Sequence, residues 1–100
     1  NAEVENSVVV PDGASDMALL SNILFQSDNK HGIIKQGLRI LKPGGALIII
    51  EWNDKSPFGP PLKQRIKEED LKKKTMEKGL EFVKTFNAGN YHYGLIFVKK

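Results

Sequence analysis

Four residues in a row, Glu51-Trp52-Asn53-Asp54, close an unbroken apolar run from Ala46 to Ile50. They bring two carboxylates, an indole and an amide to one point of the chain. Such a run reads as a buried strand, and in open α/β sheets ligands meet the carboxyl ends of the strands. A second apolar run, inside Asp16 to Asn22, ends the same way in Ser21 and Asn22. An asparagine amide both donates and accepts, so it suits an ammonium or a carboxylate; the competing role for Asn22 is a cap on the next turn. Ile23, Leu24, Phe25 and Gln26 follow. His31, near a helix start, reads as solvated. His92 lies between Tyr91 and Tyr93, a setting that favours packing over catalysis. The chain has no cysteine, which excludes disulfides and thiolate metal sites, and two histidines are too few for a typical zinc cage.

The elements that would position these residues can be read from pattern and punctuation. Pro11-Asp12-Gly13 is a turn signal leading into the first run, and Val8-Val9-Val10 before it reads as a short extended piece. Neither apolar run alternates, so both are expected to be strands covered on both faces, the habit of parallel strands in an α/β sheet. Between them, Ile33, Ile34, Leu38, Ile40 and Leu41 recur at three- and four-residue spacings, which predicts a helix over Asn29 to Lys42 capped by Ser27-Asp28. Gly32 and Gly37 weaken that helix but allow close packing on a sheet. Pro43 forces it to stop by Lys42, and Gly44-Gly45 turn the chain into the second strand. Pro57, Gly59, Pro60 and Pro61 mark a stiff loop, either a lid or a surface connection. A helix is expected from near Lys67, with Glu68-Glu69-Asp70 at its start, Lys72, Lys73, Lys74 and Lys78 towards its end, and Gly79 as its cap. Leu80 to Asn87 and Tyr91 to Lys99 alternate around a short Ala88-Gly89-Asn90 turn, the signature of an antiparallel hairpin.

One hundred residues allow one small domain or part of a larger one. No apolar run approaches the roughly 20 residues that cross a bilayer, and no leader is evident, so a cytoplasmic protein with no membrane partner is expected. The net charge of +3 leaves a nucleic-acid partner open. No aromatic platform accompanies the lysines, however, and a solvated helix face with a charged tail at Lys99 and Lys100 is the plainer reading.

Three segments resemble the C-terminal half of a class I S-adenosylmethionine-dependent methyltransferase of the type 11, or UbiE-like, group. Val10-Pro11-Asp12-Gly13-Ala14-Ser15-Asp16 is similar to the family's lead into its fourth strand. Leu20-Ser21-Asn22-Ile23-Leu24-Phe25-Gln26 is similar to the segment leaving that strand. Arg39-Ile40-Leu41-Lys42-Pro43-Gly44-Gly45 is similar to the "R-x-L-K-P-G-G" approach to the fifth strand. The resemblance runs from Val8 to the end. It implies a partial Rossmann-like α/β sheet in the order strand, helix, strand, helix, strand, strand, with the last strand antiparallel. The family's glycine-rich cofactor loop, Gly-x-Gly-x-Gly, does not occur in this sequence. By this analogy the first three strands and their helices are absent, and residues 1–100 are expected to be the C-terminal portion of a methyltransferase domain.

The resemblance also implies site residues. Ser21, Asn22, Leu24 and Phe25 would lie beside the methionine arm of the cofactor, S-adenosylmethionine. Glu51 and Trp52 would face a small-molecule acceptor, though Trp52 serves equally as a rim residue covering the sheet. Phe25 and Gln26 stand where many members have histidines, which removes a histidine-based acid, base or metal role there. No catalytic residue is assigned: in-line methyl transfer needs a nucleophile held against the methyl carbon more than an acid or a base. The fragment alone is expected to be inactive. The alternative is a non-enzymatic half-domain that dimerises or pairs through the exposed edge of its Met17–Ser21 strand.

Overall fold

The computed structural model describes residues 11–24 and 27–100. The extended reading of Val8–Val10 and the positions of Phe25 and Gln26 lie outside them. Strand β1 (Ser15–Ser21) leads to helix α1 (Lys30–Ile40), strand β2 (Leu41–Trp52), a single 3-10 turn (Leu62–Gln64), helix α2 (Glu68–Met76), and strands β3 (Leu80–Asn87) and β4 (His92–Lys99). The sheet order is β1-β2-β4-β3. β1 and β2 run parallel, with Leu20 opposite Ile49, as the two apolar runs predict. β4 lies antiparallel to both β2 and β3, which makes the hairpin the continuation of a mixed sheet.

One face of this sheet is the core. Leu20, Leu47, Ile49, Leu95 and Phe97 are fully buried there, in one cluster with Ile33 and Ile34 of α1 and Leu71 of α2. The expectation of strands covered on both faces is corrected here. Met17 and Leu19 are 58% and 52% exposed, and Ile48 and Ile50 are only half-buried. The uninterrupted apolar runs are real, but both helices pack against the same face. An apolar run records what a strand's two faces could bury; whether they are buried depends on which elements are there to cover them.

Local chemistry sets the element boundaries. α1 is capped by Asn29, whose side-chain oxygen accepts the Gly32 N–H at 3.1 Å, and not by Ser27-Asp28. Ser27 supports that cap by accepting the Asn29 N–H at 2.9 Å. The helix ends at Ile40, and β2 begins at the next residue. The pairing then jumps from Ser15 opposite Leu41 to Met17 opposite Ala46, so the Pro-Gly-Gly segment bulges out of the ladder. A Cβ on Gly37 would come within 3.1 Å of Leu47, which is why a glycine serves where α1 crosses β2.

Lys99 also departs from its sequence reading as a charged tail. Its Nζ donates to the carbonyls of Leu38 (3.1 Å) and Leu41 (2.8 Å), so β4 caps the carboxyl end of α1. Arg39, in the last turn of α1, pairs with Asp12 (2.7 Å), and Lys42 pairs with Asp16 (3.2 Å). Lys72 lies 4.0 Å from the centre of the Phe82 ring and so covers the hairpin.

Leu20→Ala removes a side chain with no exposed surface from the parallel pair. It should cost about 2–5 kcal/mol in urea unfolding, much of the stability of a domain this size. The exposed-face change Leu19→Ala should cost far less.

Candidate functional site

The carboxyl ends of β1 and β2 lie side by side, and the segments leaving them are tied together. The Asn22 N–H donates to the Ile50 carbonyl at 2.8 Å, extending the ladder one residue past β1. Asn22 has a left-handed backbone, φ 57°, a conformation asparagine tolerates better than most residues. Its side-chain oxygen is buried and has no hydrogen-bond partner among the described residues. Ser21 is exposed on the helix-free face. Leu24 is fully buried, and its N–H donates to Oε2 of Glu51 at 3.0 Å. Glu51 is itself fully buried, so these two residues brace the strand ends from within. Ser21, Asn22, Leu24, Glu51 and Trp52 are thus brought to one end of the sheet.

Trp52 is half-buried and stacks on His92 across the β2–β4 pair, ring centres 4.3 Å apart. The buried Nε2 of His92 has no hydrogen-bond partner among the described residues. On its other side the indole carries the proline-rich loop. Gly59, at φ 87°, lies so close that a Cβ there would meet the ring at 2.9 Å. Arg65 fixes this loop. Its guanidinium donates to the carbonyls of Asn53 (2.9 Å), Ser56 (3.0 Å), Phe58 (2.7 Å) and Pro60 (2.8 Å). The stapled loop is a stiff connection, and it leaves a cavity of about 660 Å³ beneath it, lined by Trp52, Asn53, Leu62, Arg65, Ile66 and Tyr93.

Tyr93 closes the cavity's inner wall and donates its hydroxyl to the Ile66 carbonyl at 2.7 Å. Burial, then the nearby carboxylates of Glu51, Glu68 and Asp70, push this hydroxyl above its ordinary pKa. It therefore stays protonated and holds the approach to α2. Among the described residues, no group of three histidine, cysteine, aspartate or glutamate side chains is placed to hold a metal ion, and no helix is long and apolar enough to cross a membrane.

No family model and no curated protein matches the sequence. Solved structures do match. A Sulfolobus solfataricus protein assigned as a type 11 methyltransferase is 34% identical over 92% of this chain and 54% of its own, with a TM-score of 0.79. A SAM-dependent methyltransferase of Aquifex aeolicus is 21% identical over 93% of this chain and 50% of its own, at 0.81. The described residues thus share the fold of part of a class I S-adenosylmethionine-dependent methyltransferase. The Burkholderia thailandensis 1,6-didemethyltoxoflavin-N1-methyltransferase shares it at 17% identity, over 96% of this chain and 48% of its own, with a TM-score of 0.73. That enzyme was solved with its substrate and S-adenosylhomocysteine bound. The chain spans about half the length of these methyltransferases.

Two residues of this site escaped the sequence reading. Arg65 sat in a stretch with no motif; its only signal was a lone arginine shortly after a cluster of prolines, whose neighbours leave carbonyls in need of donors. Tyr93 was read as a packed hairpin aromatic, and alternation along β4 correctly turns it inward, but its partner Ile66 is 27 residues away.

Tyr93→Phe should cost about 1 kcal/mol by leaving the Ile66 carbonyl without its donor. Because the folded state raises the Tyr93 pKa above its ordinary 10.0, the tyrosine's contribution is complete below pH 10 and fades as pH rises beyond it. Melting temperatures of the native chain should fall towards those of Tyr93→Phe above that pH. Arg65→Ala should cost about 2–3 kcal/mol and make Trp52, the single tryptophan, more accessible to acrylamide quenching.

Proposed function

We propose that this chain is the acceptor-side half of an S-adenosylmethionine-dependent methyltransferase acting on a small molecule. The observation that carries the reading is the pairing of two features at the carboxyl ends of the parallel strands. One is the unpartnered, buried oxygen of Asn22. The other is the cavity walled by Trp52, at the end of β2, and Tyr93. A buried acceptor without a donor costs on the order of 1–3 kcal/mol, so it fits a site completed by a ligand that donates there.

The residues present fit the cofactor at its amino-acid end. S-adenosylmethionine, when bound, supplies a methyl carbon on a positively charged sulfur, open to in-line displacement. The chain's own share is binding and orientation. Asn22 would accept from the ammonium of the methionine arm, with Ser21 beside it in the chain. Leu24, tied to Glu51, fixes the height of that segment against β2. Trp52, held between His92 and Gly59, would wall the acceptor, and Arg65 of the stapled loop lines the same cavity. Holding two reactants in line can account for several kcal/mol of such a barrier without an acid or base. The cofactor's remaining contacts belong to the half of the fold that carries a glycine-rich loop, since Gly-x-Gly-x-Gly is missing from these residues.

Calorimetric titration with S-adenosylmethionine tests this in two arms. The 100-residue chain alone should show no micromolar binding. A fusion of the first half of the Sulfolobus solfataricus protein to this chain should bind, and Asn22→Ala should weaken binding by about tenfold, the value of one hydrogen bond to a charged group. Micromolar binding by the chain alone, or a folded fusion indifferent to Asn22→Ala, would refute the assignment.

A further inference from the structure

The cavity beneath the proline-rich loop reverses the sign of the molecule. The chain carries a net charge of +3, yet four carboxylates, Asp54, Glu68, Glu69 and Asp70, line this cavity against two cations, Arg65 and Lys67. Among the described residues, no hydrogen bond or ion pair holds any of these four carboxylates. Arg65 is no counter-ion for them, because its guanidinium is spent on the carbonyls of Asn53, Ser56, Phe58 and Pro60. The carboxylates also come from two elements. Glu68, Glu69 and Asp70 form the first turn of α2, where they suit the helix dipole, but Asp54 follows β2 and owes nothing to that helix. The positive end of a helix is equivalent to roughly half a unit charge, so three full negative charges outweigh it. Their field reaches the inner wall: after burial, it is Glu51, Glu68 and Asp70 that push the Tyr93 hydroxyl up. A cleft lined by one sign of charge concentrates ions of the other.

The remaining lining is apolar, from Trp52, Leu62, Ile66 and Tyr93. Cavities of this make-up hold the body of a ligand on their apolar walls and orient it by a few charged groups. The charged groups here are not gathered as a metal site: among the described residues, no three histidine, cysteine, aspartate or glutamate side chains are placed to hold an ion. Spread negative charge beside an apolar wall fits an organic cation instead. We infer that the acceptor taken by this cavity is a small organic amine in its cationic form, with its ammonium towards Glu68 and Asp70 and its apolar body against Trp52 and Tyr93. An ammonium has no lone pair, so the charged group is a handle, and the methyl-accepting atom lies elsewhere on the same molecule. The inference rests on the methyltransferase reading above for the role of acceptor. The preference for positive charge is a property of the cavity itself, so its test needs no cofactor.

Probes of similar shape and different charge provide that test: phenethylamine as the cation, 2-phenylethanol as the neutral analogue and phenylacetate as the anion. Each is titrated into the 100-residue chain at neutral pH and followed by the fluorescence of Trp52, the single tryptophan. Phenethylamine should bind about fivefold more tightly than 2-phenylethanol, and phenylacetate should bind most weakly. Glu68→Gln combined with Asp70→Asn should bring amine and alcohol within about twofold of each other. Glu77→Gln combined with Glu81→Gln removes the same charge from exposed positions outside the cavity and should leave the preference intact. In the unsubstituted chain, about 0.5 M sodium chloride should shrink the preference too, a readout that depends on no variant folding. Equal binding of amine and alcohol, tighter binding of phenylacetate, no binding of any probe, or a preference that survives the paired cavity substitutions or the salt would each overturn the inference. A chain that prefers the amine while its fusion ignores S-adenosylmethionine keeps the cation site and loses the methyl-transfer reading. A fusion that binds S-adenosylmethionine through Asn22 while the chain shows no charge preference does the reverse.

Discussion

The register of β2 is the constraint on which the rest depends. This strand is paired on both sides, parallel with β1 and antiparallel with β4. With period-two alternation, its position fixes which of Leu47, Ile48, Ile49, Ile50, Glu51 and Trp52 face the helices. A slip by one residue would turn Leu47 and Ile49 away from α1 and α2. It would also take Glu51 from the Leu24 N–H and exchange the faces of Trp52 and its neighbours. Core and site are therefore set by one alignment, and the Pro43-Gly44-Gly45 bulge at the start of β2 absorbs the length mismatch that lets it hold.

Much of this was legible in the chain itself. The two apolar runs locate the parallel pair, Pro43 ends the first helix, and the alternation around Ala88-Gly89-Asn90 gives the hairpin almost to the residue. The cap of α1 was missed because Ser27, Asp28 and Asn29 are all competent, and only the placed backbone shows whose oxygen reaches the Gly32 N–H. One-sided burial of the strands was missed for a different reason. Sequence reports the apolarity of Met17 and Leu19, but their environment is set by elements elsewhere.

The site was legible in outline only. Asn22 and Trp52 announce themselves by type and by position at strand ends. Glu51 does so as well, yet its depth and its tie to Leu24 depend on how far the following loop folds back. Arg65 and Tyr93 act through main-chain carbonyls, and carbonyls carry no sequence signal. Side chains that organise backbone are the hardest to find in a sequence, however central they are in three dimensions.

The ion pairs among the described residues are unevenly distributed. Arg39 with Asp12 and Lys42 with Asp16 both gather at the pole where β1 and β2 begin. The opposite pole is fastened by Arg65 to neutral carbonyls and by the buried Glu51. Dissolved salt weakens attraction between solvent-facing charges and has little hold on interior ones. Changes in ionic strength will therefore loosen the distal pole first and spare the pole that carries Asn22 and Trp52.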